Sequence, residues 1–252
     1  MALLEVSKVT KRFGGITAVD NVSVTVEAHE AVGLVGPNGA GKTTLFNCLL
    51  GLLRPDSGSV VFDGHDLAEL PIYRRARLGI GRTFQRMELF SEMSAREHLM
   101  VAERARRGDG SLWRDLLNRA KPTAEENARV DAIIELLGID DVADLSAEAL
   151  SLGHGRLVEL GRAIATEPSL LLLDEPSSGL DRTETEALGI VLDRVRAERG
   201  VAVLLVEHDL EMVTRAVDRL YVLDFGQLLA SGPTGEVLAN ADVRRAYLGQ
   251  AS

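Results

Sequence analysis

AVGLVGPNGAGKTTLFNCLLGLL, residues 31–53, sets an apolar strand, a glycine-rich loop and an apolar helix in immediate succession. The loop contains G-x-x-x-x-G-K-T, with Gly36, Gly41, Lys42 and Thr43 in place. The strand before it and the helix after it are the context this motif requires. Glycines let successive backbone N–H groups converge on phosphate oxygens. The helix N-terminus adds partial positive charge. Lys42 is suited to reach β- and γ-phosphates, and the Thr43 hydroxyl to ligate Mg²⁺. Gly51 and Pro55 mark the end of the helix.

Upstream, residues 3–27 alternate apolar and polar around a Gly14–Gly15 turn, and VSVTVE reads as a half-buried strand. SGSVVFDG, residues 57–64, is again strand and turn. The middle, residues 91–150, reads as helical and strand-poor, with SAREHLMVAERARR, SLWRDLLNRA and AEENARVDAIIELLGI. Strand and helix then alternate: a helix over 155–166, the strand SLLLLDEP, a helix over 183–199, the strand VAVLLVEHD, the helix LEMVTRAVDRL and the strand pair YVLDFGQLLASG. This alternation predicts a mostly parallel sheet covered on both faces, with the helical middle inserted into an α/β core.

The chain of 252 residues carries a net charge of −10, with 46% hydrophobic and 26% charged residues. That composition excludes a disordered or collagenous chain. Its acidity argues against nucleic acid as a partner, which needs a concentrated basic surface. The phosphate loop resolves how an acidic chain holds a polyanion, through backbone dipoles, one lysine and a metal. Residues 74–121 nevertheless hold 12 Lys or Arg against 6 Asp or Glu. Within them, 104–121 contains Arg104, Arg106, Arg107, Trp113 and Arg114. This stretch reads either as a docking face for membrane or membrane subunits or as an ordinary solvated helical surface. Cys48 is the single cysteine, which excludes an intramolecular disulfide and reads as a small buried apolar residue. No apolar run has the ~18–20 residues of a membrane helix, and no signal peptide is evident, so a cytoplasmic setting is expected. His29, His65 and His98 show no ligand-like spacing.

LLLLDEP, residues 170–176, ends a buried strand in two carboxylates. Asp174 is suited to Mg²⁺, directly or through water, and Glu175 to polarise an attacking water. The absence of an N-K-x-D signature argues against a GTPase.

With these residues in place, the chain resembles the nucleotide-binding subunits of ATP-binding cassette (ABC) transporters. GPNGAGKTT resembles their Walker A motif, which carries over Gly36, Asn38, Gly39, Ala40, Gly41, Lys42, Thr43 and Thr44 as nucleotide contacts. TFQ resembles the Q-loop, with Gln85 completing the metal shell and sensing the membrane partner. LSLGHGR, residues 150–156, resembles the signature segment, whose Ser151 and Gly153 would contact the nucleotide of the opposite subunit. LLLLDEP resembles Walker B, SGLD with Asp181 the D-loop, and VEHD the switch histidine, His208. Phe13 sits where that family stacks an aromatic on adenine; a core position is its alternative. The resemblance thus implies Glu175, His208, Lys42 and Gln85 as catalytic residues and Thr43, Gln85 and Asp174 as metal ligands. Leu152, His154 and Gly155 depart from the usual signature.

The resemblance further implies an α/β P-loop NTPase core of the RecA-like type, with an antiparallel β subdomain, over residues 1–90 and 155–252. A helical subdomain over 91–154 would carry the signature. ATP and Mg²⁺ are the implied cofactors. The implied partners are integral-membrane permease subunits, a second ATPase subunit in a homo- or heterodimer and, indirectly, an extracytoplasmic solute-binding protein. The implied place is the cytoplasmic face of a bacterial plasma membrane. LLEVSKVTKRFGGITAVDNVS, GPNGAGKTTLFNC, GIGRTFQ, DVRRAYLGQ and the insert around 104–124 are similar to the ATPases of branched-chain amino-acid importers. Importers of urea, short amides or other small solutes remain an alternative. So does a non-transport cassette, although its usual tandem cassettes, coiled coils or zinc modules are not visible.

Overall fold

The computed structural model describes residues 2–83, 88–107, 122–208 and 210–248. Gln85, Asp209, Trp113, Arg114 and the segment 111–120 lie outside the described residues.

Strands β1 (Leu4–Phe13) and β2 (Ile16–Val26) pair as an antiparallel hairpin around Gly14 and Gly15. β3 (Ala31–Val35) leads through the glycine loop into α1 (Lys42–Leu50). β4 (Ser57–Phe62) and the two-residue β5 (His65–Asp66) complete a four-stranded antiparallel sheet in the order β2-β1-β4-β5. α2 (Ile72–Arg77) and β6 (Ile80–Arg82) follow. The middle supplies α3 (Ala95–Arg107) and α4 (Ala124–Leu137). Then come α5 (Leu152–Ile164), β7 (Leu170–Asp174), α6 (Arg182–Arg199), β8 (Ala202–Val206), α7 (Leu210–Ala216), β9 (Arg219–Asp224), β10 (Gln227–Pro233), α8 (Thr234–Ala239) and α9 (Ala241–Leu248).

The second sheet has the order β10-β9-β3-β8-β7-β6, parallel except for the β10–β9 pair. β3, β7 and β8 are buried at every residue, because both faces are covered. Alternate side chains feed two cores. Leu170, Leu172, Leu204 and Val206 pack with β1, β2, β4 and α1. Leu171, Leu173, Val203 and Leu205 pack with α3 to α7. Among the described residues no helix is long and apolar enough to cross a membrane.

Two expected elements change. α5 begins at Leu152, not at residue 155, because the Ser151 side chain caps it by accepting from His154 N at 3.2 Å. α7 stops at Ala216, because Arg219 and Leu220 are taken by β9 in register with Val32 and Gly33. In the basic stretch, Arg104 pairs with Glu126 at 3.2 Å, and Arg106 with Glu103 at 3.3 Å and Glu167 at 2.9 Å. The Arg104–Glu126 and Arg106–Glu167 pairs tie α3 to α4 and to the loop after α5, while Arg106–Glu103 lies within α3.

Candidate active site

The phosphate loop leaves β3 at Gly36, whose φ is +150°. A Cβ there would meet Leu223 O at 2.2 Å. Gly41, at φ +99°, caps α1, and its Cβ would meet Ala18 O at 2.3 Å. Backbone on both sides thus closes the loop to any other residue. Lys42 is buried, and its Nζ donates to Gly36 O at 2.6 Å and Pro37 O at 3.0 Å. Ala40 is buried and accepts from Gly226 N at 3.0 Å. Asn38, Gly39 and Thr43 are exposed and Thr44 is half-buried, so the loop's open side faces outward.

β8 lies between β3 and β7, and Val206 is the register partner of both Leu34 and Asp174. The phosphate loop, the acidic pair and the residues after β8 therefore emerge at one edge of the sheet, at the carboxyl ends of its parallel strands, where open α/β sheets bind ligands. Asp174 is buried, and its Oδ1 finds no hydrogen-bond partner among the described residues. Burial, then the charges of Glu175 and Glu207, push its carboxyl up to about 6 against the pull of Lys42. Lys42 in turn is lowered by burial and raised back by Glu175 and Asp174. An orphaned carboxylate oxygen in this setting suits a hard cation such as Mg²⁺, which takes few protein carboxylates and the rest of its shell from phosphates and water.

Glu175 is half-buried and adopts a left-handed φ of +47°, a conformation that favours glycine. Its N–H donates to Val206 O at 2.8 Å, which holds the strained residue in place. After β8, Glu207 is fully buried. One of its oxygens accepts from Ser177 N at 2.9 Å and Ser177 Oγ at 2.6 Å; the other accepts from His208 N at 3.0 Å. This anchor leaves the His208 ring exposed. The apolar run before His208 does not single out Glu207; an acid directly after five apolar strand residues is the only signal.

Ser151 and Gly153 lie at the start of α5, in contact with His154 and with α6. Ser151 Oγ is 3.2 Å from His154 Nδ1, and Gly153 N donates to Glu184 Oε1 at 3.2 Å. Glu184 is also half of the box that caps α6: Asp181 Oδ1 accepts from Glu184 N at 2.8 Å, and Glu184 Oε2 accepts from Asp181 N at 3.3 Å. Phe13 ends β1 beside the hairpin turn and is 47% exposed, with Lys11 Nζ 5.6 Å from its ring centroid. It is not a core residue. Cys48 is buried in α1, and burial raises its thiol to about 11, which makes it inert as a nucleophile.

The ABC transporter family matches residues 19–178. The chain belongs to the ABC transporter family. A second family, the branched-chain amino acid ATP-binding cassette transporters, matches residues 227–252 of this ABC ATPase. The high-affinity branched-chain amino acid transport ATP-binding protein BraF of Pseudomonas aeruginosa is 40% identical over 99% of this chain and 98% of its own. The corresponding protein LivG of Escherichia coli is 39% identical over the same shares. The lipopolysaccharide export system ATP-binding protein LptB of Haemophilus influenzae is 34% identical, again over 99% and 98%. Among solved structures, the ADP conformation of an ABC transporter cassette superposes with a TM-score of 0.86 at 32% identity, covering 99% of this chain and all of the other. A nucleotide-free ABC cassette gives 0.84 at 30% identity, with the same coverage. As a member of this family the chain binds nucleotide and is an ATPase that powers transport.

Proposed function

We propose that this ABC ATPase drives import of branched-chain or other hydrophobic amino acids. The carrying observation is the match of residues 227–252, outside the generic ATPase motifs, to the branched-chain amino acid cassettes. Permease subunits and an extracytoplasmic solute-binding protein complete the importer, with this chain on the cytoplasmic face of the membrane. Residues 91–154 act as its inserted helical subdomain.

In the proposed cycle, Phe13 stacks on adenine, and the amides of Gly36 and Asn38 through Thr44 cradle the phosphates. Lys42 exchanges Gly36 O and Pro37 O for β- and γ-phosphate oxygens. Thr43, Asp174 and Gln85 would hold Mg²⁺, which supplies charge neutralisation at those phosphates. Glu175, fixed by its bond to Val206 O, accepts a proton from the attacking water. His208 donates to the γ-phosphate, and Asp181 lines the nucleotide. Ser151 and Gly153 serve the nucleotide bound by a second ATPase subunit, so that ATP closes the pair and hydrolysis releases it. The work is mainly positioning and charge stabilisation.

The test uses Glu175→Gln. It retains Mg-ATP binding, loses hydrolysis by about 10²–10⁴-fold, and accumulates as a closed dimer. Near-normal turnover would overturn the role of Glu175. Capture of this variant with ATP from native membranes, followed by mass spectrometry, identifies the permease. Undiminished leucine uptake in cells lacking the chain would overturn the amino-acid reading in favour of another small solute.

A further inference from the structure

Helix α5 carries a buried ion pair between Arg156, the last residue of the signature segment, and Glu159 just beyond it, at 8% and 3% exposure. Arg156 Nη1 donates to Glu159 Oε2 at 3.1 Å. Each member also reaches off the helix. Glu159 Oε1 accepts from Glu88 N at 3.0 Å. Arg156 Nη2 donates to Ser178 O at a longer 3.4 Å. Ser178 N donates to Glu175 O at 3.0 Å. Arg162, on the same helix, donates through Nη1 to Glu88 O at 2.8 Å, so both backbone groups of Glu88 are held by α5.

Burying two charges is costly, and a hydrophobic pair of similar volume often serves stability as well or better. Stability is therefore a poor reason for this pair to exist. Its outward bonds supply a better one. Glu88 opens the described chain just after the Gln85 segment, and Ser178 closes the turn that begins at Glu175. One rigid helix joins the two.

We infer that Arg156 and Glu159 are positioning residues that tie the segment after Gln85 to the Glu175–Ser178 turn, so that displacement of the one resets the other. The inference rests on the reading of Glu175 as the residue that activates water. The pair touches no substrate and acts through Ser178 and Glu175.

The test is the double variant Arg156→Met with Glu159→Leu, which replaces the charges with apolar volume. Its melting temperature stays within a few degrees of wild type, because the buried charges leave together. Glu88, being exposed, gives its N–H to water. The expected result is a kcat about tenfold lower with KM for ATP within about twofold. The Ser178 amide, followed by NMR hydrogen exchange, exchanges about tenfold faster as its turn loosens. Glu159→Gln is the second variant. It leaves Arg156 in place, and it also speeds exchange at Ser178, a residue that Glu159 does not touch. Wild-type kcat together with wild-type Ser178 exchange in the double variant overturns the inference. Should Glu175→Gln hydrolyse ATP normally, the catalytic reading fails, but Ser178 exchange still reports whether the tie exists.

Discussion

Ser177 and Glu207 are joined twice through one oxygen: Glu207 Oε1 accepts both the backbone N–H of Ser177, at 2.9 Å, and its hydroxyl, at 2.6 Å. The link bridges the segment after β7 to the segment after β8. It fixes where Glu207 Oε2 stands, and through His208 N it fixes the backbone that presents the His208 ring. Glu207 is the acceptor in all three of these bonds. Glu207→Gln turns a donor toward one of these donors and is expected to cost about 1–3 kcal/mol, read as a lower urea midpoint, together with reduced kcat. Ser177→Ala loses one bond and about 1 kcal/mol. Equal midpoints for Glu207→Gln and wild type would refute the arrangement.

Glu184 joins the start of α5 to the cap of α6. Removing its carboxylate in Glu184→Ala breaks the box with Asp181 and frees Gly153 N. A stability loss of about 1 kcal/mol is expected from the cap. The larger effect is expected on ATP-dependent dimerisation, measured by light scattering in the Glu175→Gln background. Dimerisation at wild-type ATP concentrations would refute it.

His98 supplies a pH dependence. Its Nε2 accepts from Phe90 N at 2.9 Å, and Nδ1 donates to Ser94 O at 2.8 Å. Burial first, then the charge of Arg162, hold its pKa below the ordinary 6.5, against the Ser94 carbonyl and Glu97. Above the unfolded value both states are neutral and the contribution is complete. As pH falls below 6.5, the unfolded chain takes up the proton first and stability declines toward the lower folded pKa. His98→Gln keeps an acceptor for Phe90 N without the titration. Between pH 7.5 and 5.5 its urea midpoint should fall less than that of wild type; parallel declines would exclude His98 as the source.

Gly41→Ala places a methyl group against Ala18 O, a backbone atom that cannot swing aside. Added to the strain of a left-handed alanine, the expected cost is about 1–3 kcal/mol, with nucleotide affinity lost before the fold is. Titration with a fluorescent ATP analogue, alongside thermal unfolding, separates the two effects. Wild-type affinity would contradict the loop geometry.

Much of this architecture is legible in the sequence, because it is written in local terms. AVGLV, LLLLD and AVLLV are buried on both faces and read as continuous apolar runs. The phosphate loop carries its glycines, lysine and threonine within nine residues. α2, β6, α8 and α9 escaped because they are short and their boundaries are set by neighbours: Ile80–Arg82 is a strand only because Leu170–Leu172 lies beside it. The sequence places the start of α5 at residue 155, whereas the Ser151 cap begins it at Leu152. The supporting groups of the site were illegible for a different reason. Ser177 and Glu207, Gly153 and Glu184, and Glu88 and Glu159 meet only after the sheet has formed, and no local spacing announces such pairs.

The lysine of the phosphate loop gives a last consequence. Because Lys42 already gives two of its three N–H donors to carbonyls of its own loop, an incoming anion competes for the ammonium with internal ligands. Affinity is then a difference between two sets of hydrogen bonds. A singly charged halide offers the ammonium too little to leave Gly36 O and Pro37 O. A polyphosphate offers several oxygens to the ammonium and the loop amides together. Competition from the loop's own backbone thus weighs more heavily against a small anion than against a polyphosphate.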